Sequence, residues 1–500
     1  MHARHMPGAD RPLGRVIRQS AIYAVGNATV KASGLLLAPL YLNPAYLTVE
    51  NFGYFALLSV TAQLGIFAVG LGLAHGLLKF MSDPELQHER QALPFTAFLS
   101  TTLAAAAALF LFLIGAGPLG TILLDSAASG HLVRLLAVYV VLKVVGNIPL
   151  MMLRIHERAG IYAIAVVAEM LALVGCVYYF LVVEERGLEG IMMAYAVSAG
   201  LSAGVMTVAM LSRVPWIVRT HLVRPLIRYG APLVMAGLAG WFLNAGDRYI
   251  LKWFSTTDVI AVYEWASRVA GVLNLFLVQS FQLSFSVIGL KAAARGEVEV
   301  HREAFRRYVV WSGWGVLGLA LLAYDVTVGL VVHFGADPAY LEVETLAFPI
   351  ALGFLSYGLY IVVNNILYAV GKTRMIGANV VAAAILNALL NILLIPLMGA
   401  LGAAIATFVA FSALAGIAAL QAERKMPVNY PWQTAIVVIL LCIVLYLAGH
   451  LTMSWEAPAR VAARLAIIAS YPLLIVITRT YGFRGIRDWF SKWAGRSVSR

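Results

Sequence analysis

Near the end of an apolar run that begins at Pro232, the stretch FLNAGDRYILKWF (242–254) sets an acid beside an arginine, Asp247 and Arg248, where hydrocarbon is expected. Charge inside a bilayer is costly and is kept for function or for pairing. Further on, ANVVAAAILNALLNILLIP carries Asn387 and Asn391 one helical turn apart, and the segment that returns after a short loop around Met398 carries Thr407. Counting equal rises from that loop sets Asn391 opposite residues 403–407, at a depth similar to that of Asp247. A carboxylate, two amides and a hydroxyl at one depth are oxygen ligands for a hard cation. The same side chains also serve as interhelical hydrogen-bonding glue, and the spacing is compatible with both readings.

Other ionisable residues fall within apolar runs: Lys31, Lys143, Glu169, Glu264 and Arg268. Glu264 and Arg268 are four apart on one helix face and read as a structural ion pair. Lys31 and Lys143 lie near mid-membrane with no acid at helical spacing. Inward-facing cations suit an anionic substrate, so Lys31, Lys143 and Arg248 are the expected cavity residues. A carrier of cationic drugs would need acids there instead, and Glu169 is the first-lobe candidate.

The elements that position these residues follow from composition. Of 500 residues 61% are hydrophobic and 12% charged, with a mean hydropathy of +0.85. Soluble domains carry about 25% charged residues, so the chain reads as an all-α integral membrane protein. The net charge of +12 reflects basic cytoplasmic loops rather than a nucleic-acid partner. The two cysteines, Cys176 and Cys442, lie in apolar runs and read as packing residues. At about 20 apolar residues per crossing there are about fourteen spans. The Lys/Arg bias of alternate loops puts both termini in the cytoplasm, and Glu342 and Glu344 read as solvated loop charges on the opposite side.

GLEGIMMAYAVSAG (from Gly187) is echoed by GALGAAIATFVAFSA (from Gly399), and TVENFGYFAL (48–57) by TTDVIAVYEWA (256–266). Each pair of echoes is six spans apart, which predicts two six-helix lobes in a parallel pseudo-two-fold repeat. The expected organisation is a cytoplasmic tail 1–18, an N-lobe 19–211, an amphipathic linker 212–228, a C-lobe 229–421, two further helices at 432–480 and a basic amphipathic tail 481–500. In that tail Ile486, Trp489, Phe490 and Trp493 share one face of an interfacial helix.

Three stretches carry a resemblance: RQSAIYAVGNATVKASGLLLAPLYLNPAYLTVENFGYFAL at the start, LNAGDRYIL with VIAVYEWASRV, and YAVGKTRMIGANVVAAAILNALLNILLIPLMGALGAAIAT. The chain resembles the polysaccharide-flippase branch of the multidrug/oligosaccharidyl-lipid/polysaccharide (MOP) exporter superfamily. The resemblance implies translocation of undecaprenyl-diphosphate-linked glycan across the bacterial inner membrane by alternating access, for surface or exopolysaccharide assembly. Its sibling branch, the lipid II flippases, implies a sodium site at Asp247, Asn387, Asn391, the Ala403 carbonyl and Thr407. That branch can carry an acid where Asn391 stands, and it favours arginines where this chain has Lys31 and Lys143. Lysine lacks the bidentate fork for phosphate, which points to a different glycolipid.

The expected coupling ion is Na+ or H+, with no cofactor and no metal beyond the candidate sodium site. The expected partners are the lipid-linked glycan, anionic lipids and a polysaccharide polymerase or synthase complex. The alternatives are a multidrug/cation antiporter and a lipid II flippase. No DxD, HExxH or P-loop pattern appears and the outer loops are short, so no catalytic residue is assigned and no enzyme is expected.

Overall fold

The structure, a computed structural model, describes residues 33–478. The tail 1–18, most of the first span with Lys31, and the amphipathic tail 481–500 lie outside the described residues. Among the described residues the secondary structure is helical throughout, as expected where lipid offers the backbone no hydrogen bonds. Among the described residues twelve helices are long and apolar enough to cross a membrane, and one of them, Thr373–Glu423, reverses at Gly399 and makes two passes.

Contacts divide the chain into two compact units, Met1–Lys252 and Trp253–Arg500. The first unit holds α1 (Ala38–Tyr41), α2 (Val49–Val69), α3 (Leu73–Met81), α4 (Leu93–Ile114), α5 (Ala116–Leu124), α6 (Gly130–Ile155), α7 (Ala159–Val177), α8 (Gly187–Leu211), α9 (Val223–Ala245) and most of α10 (Asp247–Phe254). Thr48 caps α2 by accepting the Asn51 amide at 3.3 Å.

The sequence suggests one continuous second span over 52–78, but the chain breaks at Gly70–Gly72. Leu71 and Gly72 there take φ values of 48° and 68°. Gly72 meets Gly230 of α9 so closely that a Cβ on Gly72 would lie 2.5 Å from the Gly230 backbone. Only a pair of glycines allows that approach. A second tie is made at α10, where the Tyr249 and Thr61 hydroxyls are 2.8 Å apart. Lys252 pairs with Asp125 and lies over the Tyr54 ring at 5.3 Å. These contacts fasten the seventh span to the first unit, so the division by contacts falls after Lys252, whereas the sequence begins the second lobe at 229.

The second unit holds α11 (Thr257–Leu273), α12 (Ser280–Ala294), α13 (Val298–Phe334), α14 (Val343–Ala369), α15 (Thr373–Glu423), α16 (Trp432–His450) and α17 (Ala457–Ile477). A wide π turn, Asn274–Gln279, joins α11 to α12. Helix α13 has its first turns braced by Arg302 on Glu299 at 2.6 Å and by Arg307 on Glu303. Helix α14 is the core of this unit, with 83% of its most apolar window buried. The two legs of α15 form a tight hairpin. Gly399 turns it with φ 57° and ψ −134°, and a Cβ on Gly402 would fall 2.4 Å from the Leu394 carbonyl oxygen.

Candidate functional site

The hairpin decides where its polar side chains meet. Its two legs run side by side, and Asn387 donates to the Thr407 hydroxyl at 3.4 Å across the hairpin. Asn391, one turn nearer the bend, donates to both the backbone carbonyl and the side-chain oxygen of Asn387, at 2.9 and 3.0 Å. Asn387 and Asn391 are fully buried, as is Ala403. One acceptor in this cluster is left over: Asn391 Oδ1 is buried with no hydrogen-bond partner. Farther from the bend, Asn379 and Gln421 exchange two hydrogen bonds of 2.7 and 3.0 Å. Sequence reasoning overlooked that pair.

Asp247 belongs to the first unit. The seventh span is interrupted at Gly246, and α10 begins at Asp247. Arg248 Nη1 lies 2.8 Å from Asp247 Oδ1 and donates to the Asn244 carbonyl at 3.1 Å. Both side chains are buried. At the far end of α10, hydrogen bonding from Lys252 holds the Asp125 carboxyl below its ordinary value.

Lys143 of α6 is paired, but across helices. Its ammonium lies 2.6 Å from Glu169 Oε1 on α7, with the side chains 30% and 18% exposed. A search along one helix, as the spacing argument made, does not find a partner on the next. Arg268 Nε lies 2.8 Å from Glu264 Oε1. Lys31 lies outside the described residues.

One charged cluster runs against expectation. Glu344, read from the sequence as a solvated loop charge, is buried on α14. It accepts from His450 at 3.0 Å and from Arg464 at 3.4 Å. Arg464, 1% exposed, also donates to Asp325 at 2.8 Å and to the Leu321 carbonyl at 2.9 Å. Arg460 pairs with the other oxygen of Asp325 at 2.8 Å. The cluster pins α16 and α17 to α13 and α14. The available signal was Arg460 and Arg464, four apart at the start of the last span; counting Arg460 as an outer-loop charge hid it.

A nucleophile-elbow spacing, which the sequence reading took to be absent, is in fact present as GLSAG (200–204), but it lies inside α8, without the strand-to-helix turn that exposes such a serine. Among the described residues no three His, Cys, Asp or Glu side chains group as metal ligands.

Comparison with known proteins adds to this geometry. A family model described as "Polysaccharide biosynthesis protein" matches residues 16–288. No curated protein matches the chain. Among solved structures, the lipid II flippase MurJ in an inward closed conformation superposes with a TM-score of 0.73 at 13% identity, covering 91% of this chain and 99% of that one. A multidrug resistance MATE family transporter of the MOP superfamily, in an inward-facing conformation, gives 0.64 at 13% identity, covering 82% and 94%. A MOP superfamily transporter from Pyrococcus furiosus gives 0.57 at 12% identity, covering 83% and 95%.

Proposed function

We propose a lipid-linked glycan flippase, from the premise that the chain belongs to the polysaccharide biosynthesis protein family. It is a multi-pass membrane protein with the fold of MOP superfamily transporters. The cargo we infer is an undecaprenyl-diphosphate-linked glycan, moved across the bacterial inner membrane by alternating access, with both chain termini cytoplasmic.

Lys143 carries this reading. It is a part-exposed ammonium in the family-matched region, and among the described residues its one ionic partner is Glu169. A diphosphate brings more charge and more acceptor oxygens than a single carboxylate, so it can take the ammonium from Glu169. When the cargo leaves, Glu169 takes Lys143 back, and neither charge is left bare in the interior. The same pairing weighs against a drug-cation antiporter, since the candidate acid is already met by a cation.

We further propose that the hairpin cluster of Asn387, Asn391, the Ala403 carbonyl and Thr407 holds Na+. The unpartnered Asn391 Oδ1 fits that role, being a buried acceptor oxygen beside other oxygens. A bound cation would supply positive charge to this neutral cluster. The resemblance assigns Asp247 to the same ion, and Asp247→Asn tests that assignment.

The test is depletion of the protein in its host. The expected result is loss of surface polymer with accumulation of lipid-linked glycan on the inner leaflet. Normal polymer without accumulation overturns the proposal and directs attention to drug sensitivity.

A further inference from the structure

A cavity of about 370 Å³ opens at one end of the first unit, between the end of α3, the start of α4, the end of α6, the start of α7 and the end of α8. Its wall is apolar and methionine-rich: Met152, Met206 and Met210 line it, and Met152 and Met210 belong to the buried cluster beneath. Pro149 of α6 also lines it, at a point where the helix forgoes a backbone hydrogen bond. Its rim is basic. Arg90, Arg158 and Arg213 come from three different connections and converge there.

None of the three arginines has a carboxylate within ion-pair distance among the described residues. The nearby acid Glu89 is turned to His221 at 3.1 Å and to Arg219, and it does not line the cavity. Arginine is the residue suited to phosphate, and three such guanidiniums around one opening form an anion site without an anion of the protein's own.

The surroundings select the source of that anion. Ile161 and Ile164 on α7 and Val205 and Val208 on α8 are exposed, leading away from the cavity along surfaces that a bilayer would cover. Beside it, Trp216 is 70% exposed and stacked on Phe95, the placement of an aromatic residue at a membrane interface. A phosphate at the arginines with two chains running along α7 and α8 satisfies both surfaces at once. A soluble phosphate would leave the apolar track unused, and the cavity is larger than a bare phosphate needs.

We infer that this cavity is a binding site for the headgroup of an anionic phospholipid, separate from the glycan cargo. Helix ends rich in arginine face the cytoplasmic leaflet, where such lipids are abundant. A lipid seated here bridges the ends of α4, α6, α7 and α8 and ties their packing to the composition of that leaflet.

The full-length protein is reconstituted in nanodiscs of equal parts phosphatidylglycerol and phosphatidylcholine that contain a trace of headgroup-diazirine phosphatidylglycerol. After photolysis, labelled peptides are mapped by mass spectrometry. The expected result is labelling at 152–161 and 206–215 that excess phosphatidylglycerol competes away and inorganic phosphate does not. At roughly fivefold per basic residue near a membrane surface, the triple substitution Arg90→Gln, Arg158→Gln and Arg213→Gln lowers affinity about a hundredfold. Met206→Trp fills the cavity with all three arginines in place and lowers labelling as well, which covers the case of a triple variant that does not fold. Equal labelling by a phosphatidylcholine probe, labelling unchanged in Met206→Trp, or competition by inorganic phosphate each overturns the inference.

Discussion

Replacing Lys143 separates a transport role from a structural one, because its partner can be neutralised with it. Lys143→Met leaves Glu169 in the interior without a cation. Breaking a fully buried pair costs about 3–5 kcal/mol. Here the two side chains keep 30% and 18% of their exposure, and that screening lowers the expected cost to about 1–3 kcal/mol. Adding Glu169→Gln removes the stranded charge, so the double variant should regain most of that stability. Transport should behave differently. If the ammonium meets the cargo diphosphate, its charge-assisted hydrogen bond contributes about 1.5–3 kcal/mol, or roughly ten- to a hundredfold in transport. That loss appears in Lys143→Met and equally in the double variant, whereas Glu169→Gln alone keeps transport. Thermal unfolding in detergent reads the first quantity. Surface polymer and lipid-linked glycan, at matched protein levels, read the second. A double variant that transports normally would refute the cargo role and leave Lys143 a structural pair.

The remaining predictions concern other clusters. Arg464→Met should destabilise the protein by about 3 kcal/mol, the lower end for a broken buried network because Asp325 keeps Arg460 and Glu344 keeps His450; a change within about 0.5 kcal/mol, the range of ordinary surface substitutions, would contradict the anchoring role of this cluster. The Asp125 carboxyl is held below its ordinary value of 3.8, so the tie to Lys252 is present above that pH and is lost as pH falls through the lowered value. Asp125→Asn should therefore differ from wild type in unfolding at neutral pH by no more than about 1 kcal/mol, since Asp125 is largely exposed, and the difference should vanish in strong acid. Wild-type melting should rise when choline is replaced by saturating Na+, by about 2–3 kcal/mol of binding linkage at a hundredfold excess over Kd. Asn391→Leu should abolish that rise, and a wild type indifferent to Na+ removes the cation proposal.

What could be read from the sequence followed periodicity along one helix. The spans and a short turn near Met398 needed only counting; the count set Asn391 opposite residues 403–407, and the structure brings Asn387, one turn farther from the bend, to Thr407. The Glu264–Arg268 pair needed only a four-residue spacing. The features that escaped depend on which helices become neighbours. Lys143 and Glu169 are 26 residues apart, and Asp325 reaches Arg464 over 139. No one-dimensional spacing marks such pairs. Glu344 was misplaced for a related reason: an acid near a span end looks solvated until a second helix covers it. The attachment of the seventh span to the first unit rests on Gly72 and Gly230, whose meaning emerges only when their backbones touch.

The number of partners distinguishes charges that fix the structure from charges that can act. Arg464 donates to Asp325, Glu344, the Leu321 carbonyl, Thr452 and Met453. Extracting it would break all of these together, and no single ligand could replace them, so the joint of α13, α14, α16 and α17 should hold through the transport cycle. Lys143 has one ionic partner among the described residues and partial access to solvent. An incoming anion need displace only Glu169, and the exchange keeps the ammonium neutralised throughout. Charge in a membrane interior is tolerated when it is never bare. A carrier needs both kinds: multiply bonded charges that keep a unit rigid, and singly bonded ones whose partner can change as cargo arrives. By that criterion α6 and α7, not the two C-terminal helices, hold the charge whose partner can change, which is where the proposed anionic cargo would act.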